Sequence, residues 1–426
     1  MAADFDLDAI LAKLRSNDKE ERGKGEEELS KLRDQDKPLT REQGLKMLHA
    51  AAERWPTIPN EDHDFSSNLV EIAAKHPRPE WIPEIVRLFD KFSDTGKGSA
   101  LGILADLKER EAAEAYMAIV RAHAKAGQIP GLVTASLNEE PRHADVFFPE
   151  LLQYASVPQI SHDVYRLYLG YCKAGLVQTE AVARSTPQLV EAYQPLADQL
   201  RPAQQATGVA WMWEDDYRDR RARAALLLDL FGYCPPAFVE SKLREALNFA
   251  DAILKYFAIV SLLRLGKTVS AEDISAVAAR AETRNWLYQF LQNQKQEGLF
   301  PKKFLTQAAF AESDMVNWLV YPTELGRVPD EIELMKVVPI DTGLAGGIYD
   351  YYLFRFRTLE PHWAAKNGWI AGVSGPFHRQ ASPTVHALGH TFSTFTKWEA
   401  MHPDDHVGDI SELKKSWREY HLRHPN

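Results

Sequence analysis

The chain has 426 residues, with 60 acidic against 50 basic side chains and a formal net charge of −10. A surplus of that sign argues against broad contact with a phosphate backbone, which needs a positive face. Hydrophobic residues make up 45%, enough for a large interior, and the length exceeds the usual limit of one compact core, so two or more units are expected.

The opening segment, MAADFDLDAI, has neither a basic flank nor a long apolar run, so no secretory signal is expected. The longest apolar clusters, Ala224–Leu228 and Ala258–Leu263, are far shorter than a membrane span. Cys172 and Cys234 suit a reducing compartment as small buried hydrophobes, while one disulfide stays open on sequence alone. These features predict a soluble, cytoplasmic protein.

Residues 1–300 read as almost continuous helix. Leu7, Ile10, Leu11 and Leu14 lie on one face, and Leu29 and Leu32 carry the next helix before a break at Lys37-Pro38. Phe65, Leu69, Ile72 and Ala73 form a stripe that Pro77 and Pro79 stop. Ile82, Ile85, Val86, Phe89 and Phe92 form another. Each set has the spacing of a half-buried helix.

Two helix–break–helix pairs follow, Ser99–Ala126 and Asp251–Arg280. In the first, Leu101, Leu104 and Ala105 belong to helix one, and Ala113, Tyr116, Met117, Val120 and Ala124 to helix two. In the second, Ile253, Tyr256, Phe257 and Val260 are predicted to face one way, and Ile274, Val277, Ala278 and Ala281 close the unit. Gly266 is placed as a helix C-cap, and Ser270 caps the next helix with Asp273 three residues on. Helix starts near Phe65 and Lys97 lie about 32 residues apart, and those near Pro236 and Ala271 about 35, which suits irregular two-helix repeats.

The segments Ser99–Arg121 and Asp251–Ala279 resemble HEAT repeats, in particular the short form of phycobilisome-lyase-like HEAT proteins. The ending Leu262-Leu263-Arg264-Leu265-Gly266 and the Ala-rich partner helix carry the likeness. Asn17–Arg22 followed by Leu29 is similar to another repeat start, from which Gly23 and Gly25 depart. Phe304–Asp330 resembles a stretch of bacterial HEAT-repeat proteins that carry a small C-terminal appendage. The resemblance covers about two-thirds of the chain and implies a fold and no activity. Read from the residues themselves, Ala311–Val320 is one more helix, ended by Tyr321-Pro322.

After Pro329 the period shifts toward two. Ile332–Ile340, Ile348–Arg357, Trp369–Val373 and Thr391–Thr396 are predicted strands, with Gly343, Gly346-Gly347, Gly368 and Gly375-Pro376 as turns. A final helix, Ile410–Leu422, is expected to pack over the sheet. The expected fold is therefore mainly α: an α-solenoid of HEAT-like pairs over residues 1–328, with a small antiparallel α+β domain over 329–426.

Several clusters could carry chemistry. His386 and His390 are four apart, as are His402 and His406, a spacing that suits a helical zinc site. The HALGH segment lacks the glutamate of a metalloprotease, and surface or hydrogen-bonded histidine is the simpler reading. Thr95–Ser99 invites a phosphate-loop reading but lacks the required earlier glycine, so a helix–helix loop is predicted. Glu214-Asp215-Asp216 with Arg218, Arg220, Arg221 and Arg223 forms i, i+3 and i, i+4 pairs on a predicted helix. It reads as a solvated face or as a partner-binding or anion-binding strip, and the nearby Trp211 and Trp213 could be exposed anchors or core, since Trp and Arg dominate interface hot spots. Arg355 and Arg357 could clamp an anion with His378 and Arg379, or pair with Glu333 or Glu360. Ser374 lacks a nucleophile-elbow context and reads as a turn residue.

The expected function is noncatalytic binding of another protein, as scaffold, assembly factor or immunity-type inhibitor, with no cofactor. Its candidate binding residues are Trp211, Trp213, Arg218, Arg221, Arg355 and Arg357. The alternative is a zinc-dependent enzyme or metal-binding module using His386, His390, His402 and His406. Nucleic acid, which would need a basic groove, and membrane are not expected partners.

Overall fold

The computed structural model describes residues 5–35, 37–55, 64–204, 210–341, 348–359, 368–380, 391–400, 405–408, 410–412, 415 and 419. They are mainly helical, with one small antiparallel sheet. No helix among them is long and apolar enough to cross a membrane.

The chain divides into two compact units, Met1–Ser185 and Thr186–Asn426. The first holds α1 (Leu7–Leu14), α2 (Lys19–Asp34), α3 (Arg41–Ala51), α4 (Phe65–Ala74), α5 (Ile82–Leu88), α6 (Asp94–Asp106), α7 (Arg110–His123), α8 (Ala135–Glu139), α9 (Ala144–Phe147) and α10 (Ser161–Lys173). The division falls inside α11 (Thr179–Ala203). Helix starts are set locally. Asp6, Asp18, Thr40, Asp64 and Ser93 each accept a hydrogen bond from a first-turn N–H, and Thr40 closes a capping box with Gln43. A cap of this kind stabilises a helix by about 1 kcal/mol. The predicted stripes are buried, except that Ile82 is half-buried and Val86 is 39% exposed. Contacts alternate along this unit: α4, α6, α8 and α10 touch in succession, and so do α3, α5, α7 and α9.

The segment Thr95–Ser99 is not the loop expected from its glycines. It forms the first turns of α6, started by Ser93. Gly96 packs so close to Ser66 that an added Cβ would lie 3.1 Å from its Oγ. The glycine there serves helix contact.

The second unit holds α12 (Asp215–Phe231), α13 (Pro236–Ala246), α14 (Ala252–Arg264), α15 (Ala271–Ala278), α16 (Ala281–Asn293) and α17 (Gln307–Leu319). Helix α14 packs on both α12 and α16, and α16 on α17. Gly266 ends α14 at φ +71, and Ser270 caps α15 with its Oγ 3.0 Å from the Asp273 N–H. Strands β1 (Glu331–Asp341), β2 (Ile348–Arg357), β3 (Ile370–His378) and β4 (Thr391–Lys397) follow as an antiparallel meander in the order β1-β2-β3-β4.

The sheet and the last helices share one core. Tyr352, Phe354, Phe356, Ile370 and Phe377 cluster with Leu287, Phe310 and Met315. The period change near residue 329 thus marks a change of element type, while the compact division lies at Ser185. The opposite face, with Val338, Ile340, Tyr351, Leu353 and Val373, is covered by Ile410 and flanked by Trp398 and Val407. Gly375-Pro376 is not a turn: β3 runs through it, with Tyr349 opposite His378 and Asp350 opposite Phe377. Ser374, likewise read as a turn residue, is a fully buried strand residue that donates to Asp314 at 3.3 Å. Cys172 and Cys234 are buried thiols, so the disulfide left open by the sequence is not formed.

Candidate functional site

The charge block that opens α12 sorts its arginines by face. Arg218, Arg220 and Arg223 pair along the helix with Asp215, Asp216 and Asp219, at 3.5, 3.2 and 2.6 Å. These are solvated pairs worth about 0.3–0.5 kcal/mol each. Arg221 points inward. Its side chain is 8% exposed, and its Nη1 lies 3.3 Å from Oδ2 of Asp251, itself 1% exposed.

Asp251 does two jobs. Its Oδ1 accepts from the Ile253 N–H at 2.8 Å and so caps α14, while Oδ2 faces Arg221. The guanidinium also lies over Trp213, 4.7 Å from the ring centre, and over Tyr217 at 5.8 Å. Trp211 meets Tyr217 edge-on at 4.8 Å. Burial drives the Tyr217 hydroxyl pKa far above its ordinary value, and the neighbouring Asp251 carboxylate adds to the rise.

In front of this cluster opens a groove of 590 Å³. Helix α12 supplies Asp215, Arg218, Asp219, Arg221, Ala222, Ala225 and Leu226, α14 supplies Ile253 and Phe257, and α16 supplies Trp286. Trp286 is 36% exposed and packs on Tyr256 at 5.8 Å.

Four of the six candidate binding residues are thus brought together. Arg218 and Arg221 line the groove, and Trp213 supports Arg221 from behind. Trp211 is core, at 8% exposure, so a surface anchor at that position is ruled out by packing. The reading of α14 needs correction. Ile253, Tyr256 and Phe257 are only half-buried, whereas Leu254, Ala258, Ile259 and Leu262 form the inner face. Nearly every position of this helix is apolar, so period alone does not choose its inner side. Excess apolar surface on a single helix was nevertheless a usable signal for Phe257. Asp251 and Trp286 left no signal, because their roles depend on contacts some 30 residues away along the chain.

Arg355 and Arg357 form a separate arrangement. They pair across the strand with Glu333 at 2.6 Å and Glu331 at 2.7 Å, and both stack on Trp369, at 4.3 and 4.6 Å. No anion clamp assembles with His378 and Arg379. Arg355 lies opposite Ala371, seven residues from His378 along β3, roughly 23 Å at strand rise. Arg379 pairs instead with Asp350 at 2.6 Å.

His386, His390 and His402 lie outside the described residues. His406 is 2% exposed, its ring stacked on Trp398 at 4.6 Å and 9°. Among the described residues, no group of three or more His, Cys, Asp or Glu is placed to hold a metal.

No family model matches the chain, and neither does any curated protein or solved structure.

Proposed function

We propose that this is a noncatalytic helical protein that binds another protein through the groove over α12, α14 and α16. The observation that carries the reading is the groove's composition. Phe257 and Trp286 stand half-exposed beside an arginine that is already oriented by Asp251 and Trp213. Aromatic and arginine side chains held in place before contact lose little freedom on binding, which is what makes hot spots. The alternating helix contacts support a stack of HEAT-like pairs, an architecture that acts through its surface. The zinc alternative rests on His386, His390 and His402, which lie outside the described residues, and on His406.

Affinity capture with Phe257→Glu against wild type tests the proposal. One protein retained at near-equal stoichiometry by wild type, and at least thirtyfold weaker with Phe257→Glu, is expected from loss of about 2 kcal/mol at a hot spot. An interaction that both forms retain equally would refute the assignment of this groove.

A further inference from the structure

We infer that β1 is an interface strand on which a second copy of this chain pairs antiparallel. This inference is independent of the groove. Strand β1 ends the sheet order, with β2 as its neighbour among the described residues, so its outer edge offers backbone N–H and C=O groups. Leu334, Met335 and Val337 on it are 42%, 40% and 39% exposed, three large apolar side chains within four positions.

Edges are ordinarily guarded against such pairing by a bulge and a lysine, and β1 carries both. The register shifts between Leu334 and Lys336, which makes Met335 the extra residue. Lys336 is exposed and has no ion-pair partner among the described residues. Laid antiparallel on itself about the Leu334–Met335 midpoint, the strand turns these guards into a match. Ile332 then opposes Val337 of the second copy, Glu333 opposes Lys336, and Leu334 opposes Met335.

The bulge makes this register self-consistent. Opposed residues in an antiparallel pair share a face, so residues an odd number of positions apart do not match in a regular strand. Here Ile332 and Val337 lie opposite Phe356 and Tyr352, which face the helices. Glu333 and Lys336 lie opposite Arg355 and Leu353, on the other side. The extra residue brings each pair onto one face. Glu333 then accepts from its own Arg355 and from Lys336 across the two-fold axis, and a charge pair of this kind fixes register.

Analytical ultracentrifugation of the full chain tests the pairing. Wild type is expected to dimerise below ~100 μM, an affinity typical of a small interface. Glu333→Lys and Lys336→Glu are each expected to weaken the dimer about tenfold, and the double swap to recover most of that loss. Hydrogen exchange at the amides of residues 332–338 is expected to slow with rising concentration, a check that needs no variant. A monomer at ~100 μM, single swaps without effect, or a double swap no tighter than the singles would each overturn the inference.

Discussion

Among the described residues, each unit of this chain carries a sizeable groove, and the two are alike in volume but opposed in chemistry. The groove of the first unit encloses 640 Å³ and that of the second 590 Å³. The first is floored by Thr95, Gly98, Ser99 and Gly102 of α6 and rimmed by Glu71, Asp94 and Asp106, with no aromatic or basic side chain lining it. The second presents Phe257, Trp286, Arg218 and Arg221. Volume therefore does not distinguish them. Binding energy concentrates in large, pre-oriented side chains, and only the second groove has these.

The internal support of the second groove depends most on Asp251. Asp251→Ala removes a helix cap and leaves the Arg221 guanidinium buried without its carboxylate. A loss of about 3–5 kcal/mol in unfolding free energy is expected. The matched change in the first groove is Asp94→Ala, which removes an 80% exposed partner of Lys97. It is expected to cost less than about 1 kcal/mol. Urea midpoints of the two variants check the contrast, and equal shifts would show that the second groove has no special internal support.

Much of this was legible in the residues. The 3.6-residue stripes, the breaks at proline, the Gly266 and Ser270 caps and the switch to a period of two all express local physics, and local physics is what a sequence displays. Arg218 and Arg221 were visible as a charge block for the same reason. The misreadings share one cause. Gly96 and Gly375-Pro376 look like turns because glycine and proline usually mark them, yet the first lies in a helix in close contact with Ser66 and the second lies within a strand. The inner face of α14, the capping and pairing role of Asp251, and the division inside α11 each depend on residues remote in sequence.

A smaller effect in the second unit depends on pH. Burial raises the Cys234 thiol from 9.0 to about 11, with Thr186 opposing the rise. The Tyr351 and Tyr352 hydroxyls are likewise raised by burial, from 10.0 to about 12. For each, the folded state holds its proton more tightly than the unfolded state does. The stabilisation is therefore complete below pH 9 and is lost as pH climbs through 11 to 12. A fall on the order of 1–2 kcal/mol from Cys234 is expected between pH 8.5 and 11. Cys234→Ala starts less stable and should show a shallower alkaline decline. An unchanged slope in urea titrations would remove Cys234 as a source.

The smallest expected effect lies in the first groove. Gly96 has a packing reason, but Gly98 has none: a Cβ built there meets nothing within 4 Å. Gly98 sits in the second turn of α6, where glycine costs about 0.8–1.0 kcal/mol relative to alanine. Gly98→Ala should therefore raise stability by about 0.5–1 kcal/mol, measured as a higher urea midpoint with an unchanged slope. A gain confirms that the floor of the first groove is open and that propensity alone decides the outcome. A loss would mean that the added methyl meets something in solution, and the first groove would then need a contact to its backbone that the second, lined by large side chains, does not.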